Sequence, residues 1–445
     1  MQPTINNKNA SLRLKKSLTL YLTNKTVLYI LSIIFLSSCS EQKNQSELLL
    51  IQAQHAIAEQ EYSWLRTQFK IDTLENKNKA HGHLYLAQAW NSGLNRDILK
   101  AKSHYLAAMQ NPELETQSAR ALIYILKELN NWSEIDLTLP LVHDQLITIE
   151  ILMQKDLNRA LSLLEQVPVD LRDHRYHTLA AQIHFKKNDF SNAYKHTTSA
   201  KTLGSLTPAN YYINAQSLMQ MNQVDTATKA MQIFTHLKSL NESTNTNEQL
   251  SDLKMLYQLD SIFNQNTALK LRELNLLMQL KQTVKATSIM NQIDYRNLKS
   301  KPQSNFINIL LANQAYQQIS STLLPIDHRP YSAQEHLALC ISLVKINAKT
   351  KALNFCEMGM KNYPQHGKMS YWYAMVLYLN QQQQLADKKL HEAIKYLPWK
   401  VSWRIQLAES LLSQGLTSQA KTVLHNALDD ENQTIKHFKR NNGLY

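Results

Sequence analysis

Small side chains recur along this chain at a stride of 34 residues, and within each stride a second small residue follows the first by twelve positions. Near the C-terminus the pairs are Cys340 and Ala352, Ala374 and Ala386, Ala408 and Ala420. Seven positions after each pair stand Gly359, Ala393 and Ala427, and the first two units then reach Pro364 and Pro398 at a common offset. Two antiparallel helices joined by a short turn approach to about 8 Å only where their crossing carries little side chain. A third small position lets the next helix dock, and proline then ends the second helix. The pattern predicts an all-α chain of stacked helical hairpins, one per stride.

These residues resemble the framework of the tetratricopeptide repeat (TPR), with units at 333–366, 367–400 and 401–434. The same ruler finds Ala181, Ala193 and Ala200, then Ala215, Ala227 and Phe234, giving units near 174–207 and 208–241. Ala53 and Ala87 are also 34 apart, and a unit from about residue 80 holds Trp90, Gly93, Ala101, Tyr105 and Ala108 with two extra residues in its turn. Weaker units can be drawn around Trp132, Ala160 and Ala286, so the resemblance covers most of residues 46–434. It implies a TPR-like α-solenoid, a superhelix of antiparallel helical hairpins. In that family the first helix of each unit lines a concave groove that receives a peptide or helix of a partner protein. Carried onto this frame, the groove positions are Arg175, Gln182 and Lys186, then Tyr212, Gln216 and Met219, then Leu337, Lys345, Tyr371, Met375 and Tyr378. Tyr371, Trp372, Tyr373 and Tyr378 form the densest patch, to be shared between core and binding surface. Rigid aromatics of this kind bury large area at low entropic cost.

The first 26 residues carry five basic side chains and no acid, and the apolar run Val27–Leu36 then leads to Ser37, Ser38 and Cys39. A basic segment, a short apolar segment and small residues form a secretory signal. About 20 apolar residues are needed to span a bilayer, more than this run supplies. The ending resembles a bacterial lipobox. That resemblance implies a signal peptide over 1–38, acylation at Cys39, a lipid anchor in the cell envelope, and sorting to the outer membrane facing the periplasm. Residues 39–45 then read as a polar tether, 46–240 as an N-terminal TPR-like solenoid, and 241–249 as a polar loop at the main boundary. Residues 250–332 read as degenerate helical repeats, with Pro302, Pro325 and Pro330 in the least regular part, and 435–445 as a basic tail that caps or frays.

Seven glycines and ten prolines suit helices with short turns and leave no material for a glycine-rich phosphate cradle. The net charge of +13 becomes +8 once the five basic residues before Cys39 are subtracted, which favours anionic neighbours such as acidic polysaccharide. No arginine stripe speaks for nucleic acid. Cys340 and Cys356 fall on the two helices of one unit, positioned to bridge in an oxidising compartment or to fill small buried slots. His81 with His83, and His174 with His177, lack the spacing of a zinc-protease helix and read as surface or turn residues. Paired-carboxylate and nucleophile-elbow signals are missing, and no cofactor is implied. The expectation is a non-catalytic scaffold or adaptor lipoprotein that binds a partner protein in the assembly or export of pili, outer-membrane proteins or exopolysaccharide. The alternatives are an accessory factor that positions or activates a cell-wall or polysaccharide enzyme, and direct capture of anionic polysaccharide.

Overall fold

The structure, a computed structural model, describes residues 44–326, 330–425 and 433–444. Every regular element among the described residues is helical. The signal segment, Cys39 and Ala427 lie outside the described residues. No helix among the described residues is long and apolar enough to cross a membrane.

In the last third, first helices run Ala333–Lys345, Gly367–Leu379 and Val401–Ser413, and second helices run Lys349–Asn362, Gln383–Tyr396 and Thr417–Leu424. Successive first helices begin 34 residues apart, as do successive second helices. All six small residues at the crossings are 0–1% exposed, so each hairpin closes around them. Gly359 serves the third small position, since a Cβ there would sit 2.8 Å from Met369 Sδ on the next helix.

The inter-helix turn supplies a second ruler. Asn347, Gln381 and Gly415 take positive φ, and the next residue's N–H reaches back five residues, Gln382 to the Leu377 carbonyl and Leu416 to the Leu411 carbonyl, each at 2.9 Å. This is the Schellman closure of a helix C-terminus, which satisfies carbonyls the helix leaves open. Asn188, Asn222, Lys281 and Gln314 close their hairpins in the same way.

The turn ruler continues through 250–332, where the small residues largely give out. Hairpins Thr267–Gln279 with Thr283–Asn291, and Ser300–Ala312 with Tyr316–Leu323, repeat at 33 residues rather than 34, with turns at Lys281 and Gln314. Of the crossing slots there, Leu274, Ile307 and Ile319 are large and 0% exposed and Ala286 alone is small, so the hairpins persist while most of the small-residue signature is lost. Pro302 sits in the first turn of its helix, where no amide donor is needed.

The polar stretch 241–249 is also shorter than expected and is not the main boundary. Helix Val224–Glu242 runs into it and helix Thr246–Leu259 starts within it, with Asn245 capping the second through the Asn247 amide. One apolar cluster, including Leu237, Leu240, Leu253 and Leu256, packs from both sides of the stretch. The chain divides instead into two compact units between Ile125 and Leu126, inside helix Pro112–Glu128.

In the first unit, Asn44 and Gln45 of the expected tether already lie in a helix over 44–58. The next residue, Ser46, is fully buried and accepts from the Glu75 amide and from Asn78 Nδ2. Helix Asn76–Trp90 pairs with Ile98–Ala108 across buried Ala87 and Ala101. At the far end of the second unit the tail is a helix, Gln433–Asn441, whose Ile435 enters the same cluster as Ala408, Leu411 and Leu424. Ile435 and Phe438 give the basic tail an apolar face that caps the last hairpin.

Candidate functional site: an aromatic cleft on the last hairpins

Position 5 of helix Gly367–Leu379 is Tyr371, and its neighbours one and two turns on are Met375 and Tyr378, so 3.6-residue periodicity places all three along one stripe. With Trp372 and Leu379 they form a cleft of about 570 Å³, open to solvent. Val344 and Lys345 close it from the preceding first helix, and Gln406, Glu409 and Ser410 from the following one, with Gln383 at one edge.

The floor is held in place. Tyr371 stacks on Trp403 with ring centroids 4.2 Å apart and planes within 9°, and meets Trp372 edge-on at 5.5 Å. Such aromatic pairs contribute about 0.5–1.5 kcal/mol beyond their buried area. Lys345 Nζ lies 5.5 Å from the Trp372 ring centre. The Tyr378 hydroxyl donates to Asp387 Oδ1 at 2.5 Å, and that buried carboxylate also accepts from Ser410 Oγ and Gln414 Nε2, each at 2.6 Å. Burial first, and then the Asp387 bond, push the Tyr378 hydroxyl well above the ordinary tyrosine range, so it acts as a donor at every physiological pH. Gln406 Nε2 rests 3.1 Å from Met375 Sδ, and Gln383 Nε2 bonds Ser410 Oγ at 3.1 Å. The result is an apolar, aromatic floor edged by amides, with Lys345 and Glu409 as exposed charges of opposite sign.

The remaining groove positions are placed elsewhere. Leu337 packs half-buried against the core around Cys340 and does not line the cleft. Tyr373 is buried in that same core rather than shared with the surface. Tyr212 leans on Phe234 at 5.4 Å, while Gln216 and Met219 line a different cleft of about 500 Å³ beside Met231 and His236. Arg175 is taken up by Asp144 at 3.4 Å and Glu150 at 3.6 Å. Gln182 is half-buried and Lys186 exposed, on one helix but in no shared pocket with the aromatic cleft.

Cys340 and Cys356 are joined in the structure, their Cα atoms 5.1 Å apart and both side chains fully buried. The bridge ties the two helices of the hairpin that abuts the cleft at Val344 and Lys345. Neither His81 with His83 nor His174 with His177 forms a unit; His83 and His177 each meet a histidine on the following helix. Among the described residues no three His, Cys, Asp or Glu side chains gather to hold a metal ion.

Trp403, Gln406, Glu409 and Asp387 belong to the site and were missed in the sequence. The stride was available for two of them, because Gln406 and Glu409 stand 34 residues after Trp372 and Met375.

Fold and site together define an all-α protein of TPR-like hairpins bearing an aromatic cleft on its first helices. No protein-family model and no curated protein matches the chain. Among solved structures it is similar to a complex of Naa15 and Naa10 bound to HypK-THB, at 15% identity, covering 92% of this chain and 67% of that one, with a TM-score of 0.27. It is also similar to the APC/C hetero-tetramer Cut9-Hcn1, at 14% identity, covering 81% and 68%, again with a TM-score of 0.27. Helix register and turn closure are what make these hairpins TPR-like.

Proposed function

We propose that this chain is a non-catalytic scaffold that holds a segment of a partner protein against the cleft of Lys345, Tyr371, Trp372, Met375 and Tyr378. The observation that carries the reading is that cleft: aromatic and thioether surface left open to solvent on a floor whose rings and hydroxyl are already fixed. Rings held before binding lose little entropy on contact, which is the property of an anchor site. The segment it suits carries an aromatic or aliphatic anchor, flanked by backbone amides for Gln383 and Gln406. The lipid anchor at Cys39 and a place in the bacterial envelope, serving assembly or export, are parts of the same proposal and rest on the lipobox-like ending of the signal segment.

Peptide display selected against the full chain tests it. Enriched peptides share an apolar anchor, lose at least about 2 kcal/mol of binding with Trp372→Ala as a hot-spot residue does, and keep their affinity when salt is raised. Enrichment of acidic sequences whose binding collapses with salt would favour capture of anionic polymer instead. Labelling with palmitate, lost in Cys39→Ala, tests the anchor separately.

A further inference from the structure

Two hairpins are closed by histidine rings that meet nitrogen to nitrogen. His83 Nδ1 lies 2.9 Å from His104 Nδ1, and His177 Nδ1 lies 2.9 Å from His196 Nδ1. The ring planes are tilted by 39° in one pair and 37° in the other. The positions match as well. His83 and His177 stand four residues before the small first-helix residues Ala87 and Ala181, and His104 and His196 stand three residues after Ala101 and Ala193. Elsewhere the same places hold Tyr211 with Ala230, or Ser370 with Lys389, so packing of the hairpin does not demand histidine.

A contact between two Nδ1 atoms at this distance needs one proton between them, with one ring donating and the other accepting. One further proton can enter at the outer Nε2 of the donor ring and leave that bond intact. A second must land on the accepting Nδ1, and two N–H groups then face each other. Each pair therefore tolerates one positive charge and rejects two.

Asp173 favours a charge on His177 and Asp189 one on His196, but burial and the neighbouring Arg172 and histidines outweigh them. Beside His196, His184 stacks at 5.4 Å, and the nearby carboxylate of Asp189 is bonded to His184 at 3.0 Å. Arg172 and Asp173 face His177, and Arg172 also acts on His196. Helix Pro208–Gln220, packed on both helices of this hairpin, carries no charged side chain. Helix Gln145–Lys155 brings Lys155, which pairs with Asp136, and Glu150, which Arg175 holds; helix Leu157–Glu165 brings Arg159 and Glu165. In the first unit Lys79 faces His83, while the elements packed on that helix bring Arg66, which donates to the Ala89 carbonyl, Asp72, and Lys100 and Lys102 of the partner helix.

We propose that the His83–His104 and His177–His196 contacts are acid-sensitive latches, which close their hairpins near neutral pH and release them when a second proton enters each pair. Burial agrees in direction, since it holds His104 and His196 down to about 4 and lowers His83 and His177 as well.

Hydrogen exchange on the full chain at pH 7.5 and 5.0, corrected for the intrinsic pH dependence of exchange, tests the latches. At the lower pH, helices His174–Lys186 and Phe190–Thr202, and helices Asn76–Trp90 and Ile98–Ala108, lose protection roughly tenfold more than the hairpin Val401–Ser413 with Thr417–Leu424, which holds no histidine. His196→Gln abolishes the response of its own hairpin and leaves the other; His104→Gln does the converse. Nuclear magnetic resonance of ring-labelled histidines in the unmodified protein shows each pair taking its second proton only together with that loss of protection, and needs no variant to fold. Equal loss in all hairpins, or an unchanged response in both variants, overturns the proposal. So does protection at pH 7.5 that a chelator removes, because the facing nitrogens would then be metal ligands.

Discussion

Small residues in this chain are worth what they leave out. Ala386 and Ala420 are fully buried where two helices cross, and any added side chain must displace a neighbour. Ala386→Leu is expected to cost about 1–3 kcal/mol, read as a lowered midpoint in chemical denaturation; an unchanged midpoint would mean that the crossing lies elsewhere. Trp372 and Trp403, on successive first helices, differ in duty. Trp372 lines the cleft, whereas Trp403 supports Tyr371 from behind. Trp372→Ala should weaken anchor peptides directly as well as lower the melting temperature, while Trp403→Ala should weaken them only through the loss of support for Tyr371. Cys340 and Cys356 close a short loop, their sequence separation being 16. Reduction is expected to lower stability by up to about 3 kcal/mol, measured as a shift of the denaturation midpoint with and without reductant.

The helical hairpin is the unit that repeats, and its turn keeps the register more faithfully than its crossing does. A backbone closure needs only a residue that enters the left-handed region and an amide that reaches five residues back, so Asn, Gly, Gln and Lys all serve. The side chain at the crossing can instead grow, as Ile307 and Ile319, both fully buried on the two helices of one hairpin, show. That is why small residues mark the frame over 250–332 only weakly, at Ala286. At Gln381 the left-handed φ of 60° is strained for a residue with a Cβ. Gln381→Gly should stabilise the last units by up to about 1 kcal/mol, visible as a higher melting temperature; a lower one would mean that the side chain contributes more than the strain costs.

At the scale of the molecule, titration links the histidines to stability. The folded-state values of His104 and His196, about 4, lie below the ordinary 6.5. The unfolded chain therefore binds protons first as pH falls, and the stability present above pH 6.5 is lost progressively toward pH 4. Melting temperature should be flat from about pH 8 to 7 and decline below 6.5, with the decline reduced in the double variant His104→Gln, His196→Gln. The sequence by itself determined the helical class, the 34-residue frame of the last hairpins and the register that sets Tyr371, Met375 and Tyr378 along one helix face, because these follow from local periodicity and from which side chains are small. Only the tertiary structure decided that Trp403 lies under Tyr371, that Asp387 gathers Tyr378, Ser410 and Gln414, that histidines on successive helices face each other, and that the tail turns back through Ile435. Those contacts join residues on different helices. Their partners are set by how neighbouring rods pack, and a one-dimensional stride does not specify which faces meet.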